Sequence, residues 1–224
     1  MIRDRNAKPD LSMTIHRLLL RVSGSAPDAL VALARVWLAE GWLSGVVRTL
    51  AFAVHAGYFE ITEEEAVLFQ SLLRNAGDES FATRLPHAPL RDVTLPFEVV
   101  GEDHFRGGWS GSADKVEEAA SIAVLSCPGA LQLWRAWRVP IVATLYPSPK
   151  RFFLVLAAAD ADAIQLTVRI QRALAEAGER DPLVEVFDNH TVLPDLSRRA
   201  TRAGDLLWTT PPSLADRPGP GQLS

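Results

Sequence analysis

The sequence predicts an α+β protein: a small N-terminal helical domain followed by a ferredoxin-like α/β sandwich built on a split βαβ unit. Three observations carry that expectation. Before residue 78, apolar residues recur at three- and four-residue spacing between capping residues and glycines, which is the period of amphipathic helices. After residue 91, β-branched runs alternate with helical runs in the order strand, helix, strand, strand, helix, strand, the order of the split motif. Between them, residues 78–91 carry Pro86 and Pro89 and no sustained period, as a linker does. The expected division is a tail and ambiguous segment over 1–24, a helical domain over 25–77, the linker over 78–91, the ferredoxin-like domain over 92–209 and a disordered tail over 210–224.

In the helical part, Leu18, Leu19 and Leu20 fit a buried strand or a helical turn equally well, so residues 15–22 stay open. Ser25 reads as the cap of the next helix, with Pro27 inside it and Asp28 three positions on, and Leu30, Leu33, Ala34, Trp37 and Leu38 follow at helical spacing up to Gly41. Leu43, Val46, Val47, Leu50 and Val54 mark a further helix that stops at Gly57. Thr62 and Glu65 form a capping box for a helix carrying Leu68, Phe69, Leu72 and Leu73, which ends at Gly77.

In the second part, residues 93–100 read as a strand that Pro96 confines to an edge. Asp114, with Glu117 three positions on, caps a helix running to Leu125. Pro128 and Gly129 then interrupt the chain before a short amphipathic helical piece over 130–138. Residues 141–146 and 151–157 form a hairpin through a turn at 147–150. Asp160 opens a helix with Ile164, Val168 and Leu174 that ends at Gly178, and residues 183–187 supply one more strand. A basic helix with Arg198, Arg199 and Arg202 follows Pro194.

Composition bounds the function. With 224 residues, of which 48% are hydrophobic and 22% charged, the chain is long enough to bury a core without disulfides or a structural metal. One cysteine, Cys127, excludes an internal bridge and fits a reducing compartment, so a cytoplasmic location is expected. The formal net charge of −4 creates no global field for a polyanion, so nucleic acid ranks low as a partner. No apolar run approaches the roughly 20 residues that span a bilayer, so no membrane partner is expected. Three of the 23 basic residues are lysine and the rest arginine, a bias that reflects a GC-rich genome rather than arginine chemistry.

Several residue groups carry possible chemistry. Trp134, Arg135, Trp137 and Arg138, with Arg151 beyond the turn, interleave basic and aromatic side chains, the residue types enriched at interface centres. They are the expected interaction surface, for another protein or a second copy of the chain. Gly107, Gly108, Gly111 and Ser112 lead into the helix after Asp114 and form a possible anion loop, although the lysine of a phosphate-binding loop is missing. Cys127 at a helix break is a possible nucleophile. The triplets Glu102, Asp103, His104 and Asp188, Asn189, His190 mix oxygen and nitrogen donors but lack the local spacing of a metal site, so neither metal nor cofactor is expected. The first reading is a non-enzymatic protein-interaction, scaffold or accessory protein. The alternatives are a small hydrolase or transferase using Cys127 or the triplets, and a nucleic-acid-binding regulator using the strip from Trp134 to Phe153.

Overall fold

The computed structural model describes residues 11–82, 85–89, 95–103, 114–141 and 148–210. Residues 15–22 resolve as helix: α1 (Leu11–Val22) buries Ile15, Leu18, Leu19 and Val22 along one side, the i, i+3, i+4, i+7 stripe of a helix facing a core. α2 (Asp28–Ala39) begins after Pro27 with no side-chain cap. Ser25 is therefore not the cap, because its own backbone is used in a tight turn where the amides of Ser25 and Ala26 both donate to the Val22 carbonyl. α3 (Leu43–His55) and α4 (Glu63–Asn75) follow. The Thr62–Glu65 capping box forms in full: the Thr62 amide donates to Glu65 Oε2 at 2.8 Å and the Glu65 amide to Thr62 Oγ1 at 3.2 Å. Gly57 and Gly77 end α3 and α4 at φ of +74° and +78°, a region that costs other residues energy. A short α5 (Glu79–Ala82) closes this layer, whose core includes Ile15, Leu19, Leu50, Phe69 and Leu73.

The second part is a five-stranded mixed sheet with helices on both faces. β1 (Phe97–Val100), β2 (Ala130–Pro140), β3 (Lys150–Ala157) and β4 (Leu183–Asp188) lie in chain order, and β5 (Asp205–Thr209) also pairs with β2. β2 and β3 are antiparallel, whereas β3 and β4 are parallel and joined by α7 (Ala163–Glu176). β1 and β5 share the other edge of β2, β1 beside residues 137–140 and β5 beside residues 132–135.

The split βαβ order is thus not what the chain forms. A split unit places a third strand between the two parallel ones, but here β3 and β4 are direct neighbours. β1, four residues long and preceded by Pro96, lies at the sheet's rim instead. The second difference is β2 itself. Residues 130–138 are strand, not a helical piece, and β3 pairs with them; of the strand expected over 141–146 all but residue 141 lies outside the described residues. Leu133, Arg135 and Trp137 point to one face and Trp134, Ala136 and Arg138 to the other, and both sets are largely buried. A strand covered on both faces loses the polar alternation that identifies a half-exposed one.

On one face α6 (Lys115–Leu125) and α7 pack over Leu133, Phe153, Val155, Val184 and Val186. One of the two caps here follows the sequence. Asp114 accepts from the Val116 amide, whereas α7 is capped by Asp162, which accepts from the Gln165 amide, rather than by Asp160. On the other face α8 (Asp195–Ala203) places Leu196 and Ala200 against Ala136, Phe152 and Leu154, with Leu20 of α1 in the same cluster.

The outer edge of β4 meets the helical layer. Arg35 Nη1 of α2 donates to the Val184 carbonyl at 2.5 Å, and His16 Nε2 of α1 lies 3.0 Å from the Val186 carbonyl. These side chains satisfy the alternate carbonyls that an uncovered edge would offer to another chain. Asp28 receives both terminal nitrogens of Arg138 at 2.8 and 2.5 Å, and Gln165 donates to the Ala39 carbonyl at 2.9 Å. Residues 25–77 are therefore joined to the sheet by polar contacts as well as by packing. Among the described residues no helix is long and apolar enough to cross a membrane.

Candidate functional site

The arginines and tryptophans expected at a surface lie inside the fold. Arg138 is 2% exposed, paired with Asp28, and sits over the Phe97 ring at 5.1 Å. Arg135 is held by three carboxylates: Glu102 and Asp205, each at 3.2 Å, and Glu117. Arg151 pairs with Asp114 at 2.6 Å and stacks on Trp137 at 5.0 Å, while Trp137 Nε1 donates to Glu102 at 2.5 Å. Trp134, half-buried, stacks with Phe187 at 6.4 Å between ring centres. This differs from an exposed strip on a short helix for one reason: as a strand, β2 sends alternate side chains to two covered faces. The arginines are neutralised there by Asp28, Glu102, Asp114, Glu117 and Asp205, so their charge is spent within the chain.

The other sequence candidates separate. Cys127 is buried in the cluster under α6, with Val124, Ala130 and Ala163. Asp188 accepts from the His190 amide at 2.9 Å and the Thr191 hydroxyl at 2.8 Å. Its slight burial works against ionisation, but hydrogen bonds from Thr191 and the His190 amide outweigh that and hold the carboxyl below its usual value. It therefore organises the turn after β4. Gly107, Gly108, Gly111, Ser112 and His104 lie outside the described residues. Among the described residues no group of three or more His, Cys, Asp or Glu side chains is placed to hold a metal ion.

Among the described residues, the buried His16 and Glu185 are displaced from their ordinary values. Burial lowers the His16 imidazole to about 4, against the opposing pull of the Val186 carbonyl. Burial pushes the Glu185 carboxyl up, and the Arg35 guanidinium beside it opposes the rise. Both belong to the seam between the helical layer and β4, not to an open site.

A concave feature among the described residues lies elsewhere, where the end of α1, the connection from α3 to α4 and the start of α8 meet. A cleft of about 680 Å³ opens there. Its apolar wall includes Val22, Val54, Phe59, Leu95 and Leu196, and its polar groups include Arg21, Ser25, His55, Tyr58 and His87. Arg21 is fixed at the mouth, donating to Glu65 at 2.7 Å and to the Glu60 carbonyl at 3.2 Å. A second recess of about 510 Å³ adjoins it, sharing Arg21 and Pro194 and adding Arg17 and His190. Neither Cys127 nor the carboxylates of Glu102 and Asp188 line either space.

Sequence reasoning missed this site, apart from His190. Arg17 and Arg21 are one helical turn apart, off the apolar stripe of α1, which is a weak local signal. His55 and His87 carry none, because they are brought together only by the fold. Compared with known protein families, curated proteins and solved structures, the chain matches none.

Proposed function

We propose that the protein is a ligand-binding accessory protein that takes a small organic molecule in the cleft between α1, the α3–α4 connection and α8. The observation that carries this reading is the cleft itself: about 680 Å³, walled by buried apolar side chains, with polar groups of Arg21, Ser25, His55, Tyr58 and His87 also lining it. That size and lining suit a small-molecule site, and junctions between packed units are where such sites concentrate. The reading keeps the non-enzymatic character expected from the sequence and replaces a protein partner or second copy with a small ligand. It is supported by the use already made of the other candidates, since Arg135, Arg138 and Arg151 are ion-paired in the interior and Asp188 holds a turn. A cytoplasmic location belongs to the same proposal, supported by the single free thiol of Cys127.

The test uses N-phenyl-1-naphthylamine, an uncharged fluorescent probe of suitable size. Saturable binding at one site per chain is expected, and it should be lost in Ala88→Trp, which fills the cleft from a half-buried wall position. Unsaturable binding, or binding indifferent to Ala88→Trp in a folded variant, overturns the reading.

A further inference from the structure

The ligand chemistry can be narrowed, on the assumption that the cleft is a ligand site as just proposed. The two adjoining spaces differ in the charges that line them, since the larger includes Glu60 and Asp195 and the smaller has Arg17 and Arg21. The larger has an apolar wall of Val22, Val54, Phe59, Leu95 and Leu196. The smaller is walled largely by Leu20, Val192, Leu193 and Pro194, carries Arg17, Arg21 and His190 among its polar groups, and has no carboxylate among its lining residues. Arg21 and Pro194 line both, so the spaces are immediate neighbours. We propose that the two together bind an amphipathic organic anion, its apolar body in the larger space and its carboxylate, phosphate or sulfonate against Arg17 and Arg21.

The charges around the site favour that orientation. Arg21 uses two donors, on Glu65 and on the Glu60 carbonyl, and a guanidinium has five. It is thus held in a fixed pose with donors to spare. Arg17 is exposed and takes part in no ion pair among the described residues. The nearby carboxylates are engaged: Asp195 pairs with Arg198 and Arg199, each at 2.7 Å, Glu65 pairs with Arg21, and Asp188 holds its turn. Guanidinium groups suit such a head because they donate in parallel to two oxygens.

The experiment compares two probes sharing one aromatic body, 1-anilinonaphthalene-8-sulfonate and uncharged N-phenyl-1-naphthylamine, by fluorescence titration of the full chain. The sulfonate should bind more tightly, and Arg17→Gln should weaken it about tenfold, the loss of one charge-assisted hydrogen bond, while leaving the uncharged probe unchanged. Ala88→Trp should block both. Inorganic phosphate should compete with the sulfonate and not with the uncharged probe. Equal affinity of the two probes, or sulfonate binding insensitive to Arg17→Gln, overturns the anion assignment while the cleft reading stands. Failure of both probes to bind overturns both. If dodecanoate displaces the sulfonate and dodecyl phosphate does not, the head is a carboxylate; the reverse identifies a phosphate.

Discussion

Arg35 and Glu185, 150 positions apart in the chain, form a 2.5 Å ion pair in which the two side chains are 2% and 0% exposed. The same guanidinium donates to the Val184 carbonyl, so one side chain of the helical layer neutralises a buried carboxylate and closes the free edge of the sheet. A buried pair of this kind contributes little net energy when intact, because both groups lose their hydration. It makes the two layers dependent on each other, because neither charge can stay buried alone.

Glu185→Ala should therefore destabilise the protein by about 3–5 kcal/mol, the cost of stranding a buried charge. Replacing both partners, as Arg35→Met with Glu185→Leu, should recover most of that loss. What stays lost is the bond to the Val184 carbonyl, about 1–3 kcal/mol for an unpaired buried acceptor. Urea unfolding of the three proteins gives the order, and a double variant less stable than Glu185→Ala would contradict it.

Because residues 25–77 reach the sheet through Arg35 and Asp28 and reach α7 through the Ala39 carbonyl, unfolding should be a single transition. The helical layer holds Trp37 and Trp42, so a variant with both changed to Phe reports by fluorescence on the tryptophans beyond residue 91. Its fluorescence midpoint should coincide with that of far-ultraviolet circular dichroism. Separate midpoints would show that residues 92–209 fold as an independent unit.

Leu50 of α3 is fully buried in the helical core. Leu50→Ala should cost about 2–5 kcal/mol, the combined loss of burial and creation of a cavity. A cost under about 0.5 kcal/mol, typical of a surface position, would place it outside the core.

His16 sets a pH dependence whose sign follows from its burial. Its imidazole is held neutral in the fold, down to about 4 against 6.5 for an ordinary histidine. As pH falls through that window the unfolded chain takes up a proton that the folded chain refuses. Stability should fall with it, approaching about 1.4 kcal/mol per pH unit, and the decline from this group should cease below about 4. Arg17 and Arg35 reinforce the neutral form and Asp162 opposes it. His16→Gln, whose amide can still donate to the Val186 carbonyl, should flatten the profile between pH 6.5 and 4. An identical profile in both proteins would mean that His16 does not titrate on unfolding.

The amino-acid sequence by itself determined the elements whose signals are local. α3 and α4 were legible in their apolar period, in the Thr62–Glu65 capping box and in the glycines that end them, since each of these acts within a few residues of chain. The strands expected over 93–100, 151–157 and 183–187 were legible for the same reason, in their short apolar runs, and form at 97–100, 150–157 and 183–188. Tertiary structure alone decided the rest. Residues 130–138 look amphipathic in isolation, and they become a strand because β3, β1 and β5 supply its hydrogen bonds and helices cover both of its faces. Arg135, Arg138 and Arg151 look like surface charges until Glu117, Asp28 and Asp114 are folded beside them. The cleft brings together Arg21, His55, His87 and Leu196, residues from four separate segments. Long-range placement of this kind depends on how layers pack, and packing leaves no periodic mark on the segments it joins.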